Sequence, residues 1–273
     1  MSRIRHNAPD TQTLAIVQAR MSSTRLPGKV LLPLGGRPMI GFMLERVRRA
    51  KAVDQIVLAT STDASDDALA EAVAAMGIAV YRGSLNDVLA RFAGAAQGRG
   101  ADVVVRLTGD CPLIDPALID RAVHHLRSNQ LDYVTNGEPA MYPDGLDVEA
   151  FTHAALQRAF AQATLPSERE HVTPYMRSAA ADMRRGSLRG AVDLSALRWT
   201  VDHADDLAMV RALVDAITEQ QGVDAALRAD LFDYLRVLDA QPQLLAVNPH
   251  QRNEGYLKSL QQDAAASAKA LAA

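Results

Sequence analysis

"TLAIVQARMSSTRLPGK", Thr13 to Lys29, begins as an apolar run of strand length and ends as a loop. The loop has little to pack, yet it carries Arg20, Arg25 and Lys29 among Ser22, Ser23 and Thr24. Backbone amides at a strand end, three cations and three hydroxyls make a concentrated anion site. Pro27-Gly28 bends the chain so that backbone can approach a ligand closely. Neither G-x-x-x-x-G-K-[ST] nor G-x-G-x-x-G is present. A solvated basic loop is the bland alternative; the position after a first strand favours phosphate.

Working outward, "QIVLAT", "IAVYRG", "DVVVRLTG" and "LDYVTN" read as further short strands rich in Val, Ile and Leu. Between them "PMIGFMLERVRRAK", "SDDALAEAVAAMG", "SLNDVLARFAGAAQG" and "DPALIDRAVHHLRS" repeat apolar residues at helical spacing and open on Ser, Asp or Pro. Near-continuous apolar strands alternating with helices predict a doubly wound α/β fold, with a mostly parallel sheet covered on both faces. Such sheets bind ligands at the carboxyl ends of their strands. The regularity fails between about residues 136 and 198, where "MYPDGLDVEAF" reads as a turn leading into an irregular strand and "LPSEREHVTPYMR" is helix-poor at its start. "RWTVDHADDLAMVRALV" restores a strand-to-helix unit, and a further helix is expected over 224–239. The tail 261–273 is expected to fray.

Composition is that of an ordinary soluble chain: 273 residues, 48% hydrophobic and 22% charged. A net charge of -3 argues against general nucleic-acid binding. One cysteine, Cys111, excludes a disulfide framework and a cysteine-built zinc site. No apolar run approaches the roughly 20 residues of a membrane span, and "MSRIRHNAPDTQ" lacks the apolar centre of a secretory signal. A cytoplasmic protein is the expectation.

Two more strand ends carry acids. In "RLTGDCPLIDP", Asp110 sits where a carboxylate facing a phosphate loop would hold Mg²⁺, a cation that takes one or two carboxylates and substrate phosphates. Asp115 before Pro116 reads as a helix cap. In "WTVDHADDL", Asp202 follows a predicted strand and is the better metal candidate, while Asp205 and Asp206 read as first-turn charges complementing the helix dipole. Cys111 has no base partner and reads as packing. His124 and His125 read as surface residues.

"QARMSSTRLPGKVLLPLGGRPMI", "RLTGDCPLIDP", "PDGLDVEAF", "SEREHVTPYM", "RWTVDHADDL" and the late "NEGYLKSL" (253–260) together resemble, in order, the motifs of the cytidylyltransferase 3 family. That family includes the acylneuraminate and 3-deoxy-manno-octulosonate cytidylyltransferases, and the likeness is greatest to its spore coat polysaccharide biosynthesis protein F branch. The resemblance spans about residues 14–260 and implies a single nucleotidyltransferase domain, Rossmann-like and glycosyltransferase-A-like. It implies a Mg²⁺-dependent reaction of CTP with an acidic sugar for surface glycan synthesis. Arg20, Ser22, Arg25 and Lys29 would hold the triphosphate, Lys29, Arg20 and Asp110 would act catalytically, and Asp110 and Asp202 would hold the metal. The sugar site would lie in the irregular segment: Asp144, Asp147 and Glu149 for hydroxyls or magnesium, Arg169 and His171 for a carboxylate. Arg169 alternatively pairs with Glu168 or Glu170. A homodimer joined through the same segment is implied, with no nucleic acid or membrane partner. Two other readings stay open: another nucleotide or a non-sugar acceptor, and a non-catalytic nucleotide-binding protein of the same fold.

Overall fold

In chain order the strands are β1 (Thr13–Gln18), β2 (Pro33–Leu34), β3 (Arg37–Pro38), β4 (Gln55–Ser61), β5 (Ala79–Gly83), β6 (Val103–Thr108), β7 (Tyr133–Thr135), β8 (Glu149–Thr152) and β9 (Arg185–Ser187). The computed structural model describes residues 11–246 and residues 250, 252, 256, 257, 259, 260, 263 and 264. Residues 1–10 of the N-terminal stretch and the tail from 261, Asp263 and Ala264 apart, lie outside the described residues, as do 253–255 and 258 of the late motif.

β2 and β3 form a small ribbon, and the remaining strands form one sheet in the order β5-β4-β1-β6-β8-β7-β9. β5, β4, β1 and β6 are parallel. β8 alone is reversed, antiparallel to both β6 and β7, and β9 runs parallel to β7. The mostly parallel, doubly wound α/β sheet expected from the sequence is therefore present. Its cause is visible in β1, where Ala15 and Val17 enter one core and Leu14 and Ile16 the other, all wholly buried. Phe42, Ile119 and Leu213, from the helices Met39–Val47, Pro116–Ser128 and Ala204–Gln221, pack in the first core. Phe92 and Leu156, from Val88–Ala96 and His153–Gln162, pack in the second. Each such side chain contributes about 1.5–3 kcal/mol by leaving water.

Four expectations need correction. "LPSEREHVTPYMR", expected to be helix-poor at its start, is helical over Pro166–His171 and again over Pro174–Arg177, with a proline at the first turn of each. The irregular strand after "MYPDGLD" is regular β8, inserted between two partners; Val148, Ala150 and Phe151 are fully buried around it. The expected strand at "RWTV" is absent: Arg198 makes one isolated bridge to Asp144, and Trp199 N and Val201 N bond loop carbonyls at Asp144 and Asp110 instead. The helix expected over 224–239 is two helices, Val223–Arg228 and Leu231–Ala240. Asp230 breaks it, because its side chain caps the second helix by accepting from Asp233 N at 3.0 Å.

The end of the first of these helices meets Arg46, which is wholly buried. Its five N–H donors are met by five carbonyls: Nε by Ile114 O at 3.0 Å, Nη1 by Ala226 O at 3.0 Å and Leu227 O at 3.3 Å, Nη2 by Leu113 O at 3.1 Å and Ala229 O at 2.8 Å. The guanidinium thus satisfies the orphan carbonyls of a helix C-terminus, where positive charge is favoured. It also ties that helix to the segment following Asp110. Arg46→Met keeps apolar bulk but leaves those carbonyls buried and unpaired, at a cost of roughly 3–5 kcal/mol. For a chain of this size the thermal midpoint should fall by about 10 °C. An unchanged midpoint would show that the carbonyls find other partners.

Candidate active site

β1 and β6 are adjacent, yet the chain leaves β1 for β4 on one side and continues from β6 into β7 and β8 on the other. Such a switch point opens a crevice at the strands' carboxyl ends. Here the two exits nearly touch. Gly109 N donates to Gln18 O at 2.8 Å. A Cβ at residue 109 would lie 2.7 Å from Ala19 Cβ and 3.1 Å from Gln18 O, so a side chain there would force the exits apart. The crevice measures about 910 Å³ and is lined from both exits, from the 135–149 and 166–177 segments, and by Arg198, Thr200, Asp202, Arg252 and Tyr256.

The basic loop is anchored from beneath. Met21 N donates to Asp66 Oδ1 at 2.7 Å, and Asp66 is fully buried. Burial alone would raise its pKa, but the bonds from Met21, Ser61 and Thr60 outweigh this and hold it low. Lys29 then crosses the crevice floor. Its Nζ lies 2.9 Å from Asp202 Oδ1, 2.7 Å from Val201 O and 3.4 Å from Asp110 Oδ2. Burial opposes the ammonium, yet the two carboxylates raise its pKa overall, and Lys29 in turn holds Asp110 ionised. Arg25 Nη2 joins Asp202 Oδ1 at 2.6 Å.

Arg198 fixes the third wall. It contacts Asp144 at 2.7 Å, Asp202 at 3.0 Å and Asp206 at 2.9 Å. The bulge that brings Asp144 to it requires Gly145, at φ +107, where a Cβ would sit 2.4 Å from Thr200 N. Asp206 is wholly buried and accepts from the N–H groups of Asp202 and His203, both at 2.9 Å. It is therefore a buttress for the Asp202 turn rather than only a dipole charge. Asp202 keeps its proposed junction position without the strand expected before it.

A second cluster lines the same crevice. Glu149 accepts from Tyr133 at 2.5 Å and from Thr173 at 2.6 Å, and forms a short ion pair with Arg106. Burial pushes its pKa up, but Arg106 and Arg177 more than reverse this. His171 is pushed down to about 4, first by burial and then by Arg106, so it is neutral at pH 7. Its Nε2 meets Ser259 Oγ at 2.9 Å and its ring stands edge-on to Tyr256. Burial first, then the charge of Asp147, raises Asp144 to about 7; burial, with the charge of Glu149, raises Asp147 as well, against Arg252 as its counter-charge.

Of the residues singled out in the sequence, Arg20, Arg25, Lys29, Asp110, Asp144, Asp147, Glu149, Arg169, His171 and Asp202 all line one crevice. Ser22 is exposed and outside that lining, which Ser23 and Thr24 share. Arg169 pairs with neither Glu168 nor Glu170: its Nε donates to Asp87 at 3.0 Å, and Nη1 to Phe160 O. Asp115 caps its helix as expected, accepting from Ala117 N at 2.8 Å. Cys111 is buried beside Thr108, and burial and Asp110 drive its thiol pKa up, which suits packing and not nucleophilic attack. The sequence reading missed Asp66, Arg106, Arg177, Arg198 and Arg252. Arg198, a buried polar residue in an irregular segment, has no periodicity to reveal it.

The cytidylyltransferase family profile matches residues 14–243. The spore coat polysaccharide biosynthesis protein SpsF of Bacillus subtilis is 35% identical over 222 residues, covering 78% of this chain and 90% of that protein. A 3-deoxy-manno-octulosonate cytidylyltransferase of Geobacter sulfurreducens is 41% identical over 117 residues, 42% of this chain and 45% of that one. A solved cytidylyltransferase from Leptospira borgpetersenii superposes with a TM-score of 0.81 at 32% identity, over 89% of this chain and all (100%) of that chain. With this match over most of its length, the chain belongs to the cytidylyltransferase family of nucleotidyltransferases.

Proposed function

We propose that the chain transfers the cytidylyl group of CTP to a hydroxyl of an acidic sugar for surface polysaccharide assembly. The observation that carries this reading is the convergence of Arg25 and Lys29, on the loop after β1, with Asp110 and Asp202 from two other segments. The acceptor hydroxyl oxygen bonds the α-phosphorus, the bond from that phosphorus to the bridging oxygen breaks, and pyrophosphate leaves with the electron pair while the hydroxyl proton is released. In-line transfer of this kind needs positioning and charge neutralisation above all. Arg20, Arg25 and Lys29 supply cations against the phosphates, and Asp110 and Asp202 point hard oxygen donors at one cationic position, now held by Lys29 Nζ.

That donor set fits a magnesium-type divalent ion, which Asp110 and Asp202 would hold. Such an ion supplies charge neutralisation on the phosphates. An acidic acceptor is supported by the guanidinia of Arg106 and Arg177, which line the crevice beside the buried carboxylate of Glu149. The name of the Geobacter relative supports it too. Tyr256 and neutral His171 suit the apolar ring face and hydroxyls of a sugar.

Pyrophosphate release measured with each of four nucleoside triphosphates, a divalent metal and a panel of sugar acids tests the reading. CTP with a sugar acid should be the productive pair; activity confined to another triphosphate would overturn it. Arg25→Ala removes one charged contact, worth about 1.5–3 kcal/mol, so CTP affinity should fall roughly ten- to hundredfold with the thermal midpoint unchanged. Lys29→Ala should lower both affinity and midpoint, because it leaves Asp110 and Asp202 without their shared cation. Full affinity in both variants would remove the loop from the nucleotide site.

If Asp110 and Asp202 serve one metal, their losses are strongly non-additive. Asp110→Asn should cost kcat/KM heavily and Asp202→Asn less, with the double variant little worse than the first. Losses that simply multiply across a magnesium titration would separate the two carboxylates.

His171 gives a pH test. Its pKa is about 4 in the fold against about 6.5 unfolded. The unfolded chain therefore takes up this proton first: the stabilisation is complete above pH 6.5 and is lost as pH falls towards 4. His171→Gln should flatten the fall of the urea midpoint in that window, by at most about 3 kcal/mol. Equal falls in both proteins would place the histidine's proton elsewhere.

A further inference from the structure

Arg91 projects from the helix Val88–Ala96 into the crevice wall and is only 3% exposed. Its Nη1 donates to Ser84 O at 2.6 Å and Leu85 O at 3.4 Å, while its Nε is buried with no hydrogen-bond partner among the described residues. The charged groups facing it are Arg20, Asp66 and Asp87. Neither acid touches it. Asp87 is engaged by Arg169 and by Ala90 N. Asp66 is engaged by Met21, Thr60 and Ser61. Arg20 is a like charge, exposed on the basic loop. Burial first, then Arg20, pushes the Arg91 pKa down to about 10, the mark of a cation short of counter-charge.

A buried guanidinium without a carboxylate is costly unless a ligand completes it. The other loop cations are already matched, Lys29 and Arg25 by Asp110 and Asp202. Unmatched positive charge in the crevice thus gathers at Arg20 and Arg91. We propose that Arg20 and Arg91 form a two-guanidinium clamp for the terminal phosphates of CTP, the part released as pyrophosphate. The clamp rests on the nucleotide reading above. A neutral base carbonyl would not balance two guanidinia, whereas a phosphate offers several charged oxygens to two planar forks. Arg20 stands on the same loop as Arg25 and Lys29, so one phosphate chain can meet all of them.

Isothermal titration of the wild type, Arg20→Gln, Arg91→Gln and Arg91→Lys with CTP, inorganic pyrophosphate and CMP tests this, with the fold checked by circular dichroism. Arg91→Gln should weaken CTP and pyrophosphate by roughly ten- to hundredfold and CMP by far less. Arg20→Gln should follow the same pattern. Arg91→Lys keeps the charge but loses the fork, and should weaken pyrophosphate by a smaller factor; it also guards against misfolding of Arg91→Gln. A folded Arg91 variant that binds pyrophosphate as the wild type does overturns the clamp. Equal losses for CMP and CTP would move Arg91 to the nucleoside and also overturn it. A wild type that binds neither CTP nor pyrophosphate removes the nucleotide reading itself.

Discussion

The ammonium of Lys29 is where the crevice is made. It joins the loop after β1 to Asp110, 81 positions later, and to Asp202, 173 positions later, and it takes the carbonyl of Val201 as well. Two carboxylates held this close are tolerable only with a cation between them, since burial penalises every charge left unmatched. The remaining contacts follow. Asp202 accepts from Arg25 and Arg198, Arg198 also donates to Asp144 and Asp206, and Asp206 secures the backbone of the turn from which Asp202 projects. Three loops with few apolar residues are thereby fixed by charge, on a scaffold fixed by apolar burial.

This arrangement has a consequence for binding. Around Asp202 the charges are matched within the chain, Arg25, Lys29 and Arg198 all meeting that one acid. Under the proposed reaction, arriving phosphates would draw the cations off the acids, and Asp110 and Asp202 would then be able to hold a divalent ion, which supplies positive charge there. Charge is exchanged between partners and no group is stripped bare, so desolvation costs little beyond what folding has already met. The geometry is also preorganised in the sense that electrostatic catalysis requires, because the donors lie on strand exits and helix starts.

The half of the molecule that alternates strand and helix was legible from sequence for a simple reason. β1, β4 and β6 are buried on both faces, so their composition announces them. β8 was obscured because Glu149 interrupts "VEAF", a charge affordable only among Arg106, Tyr133 and Thr173, which are distant in sequence. The segment at Arg198 looked like a strand because it is extended and apolar, yet its backbone bonds go to loops. Arg25, Lys29, Asp110 and Asp202 could be singled out because they stand in, or at the end of, the loops that follow strands or precede a helix. Arg198 was missed because it stands in a segment that reads as a strand, although Asp202 and Asp206 lie close by, and Arg252 because its partner Asp147 lies 105 residues away in the chain. The Asp87 partner of Arg169, 82 residues away, was hidden in the same way.

The two sides of the crevice also differ in origin. The cations and acids around Lys29 all fall within residues 14–243, the stretch that carries the family likeness. Part of the lining around His171 and Asp147 comes from beyond it. Arg252 bonds Tyr142 O at 3.0 Å and pairs with Asp147, Tyr256 packs on His171 and Arg177, and Ser259 bridges His171 and Glu170. A phosphate chain is the same in every CTP, so its wall can be built from a shared core. An acceptor differs from enzyme to enzyme, and a wall completed by a segment outside that core can change without disturbing the charge network that Lys29 holds together. Under the proposed reaction, contacts to an acceptor made where Arg252 and Tyr256 meet the second cluster would leave that network unchanged.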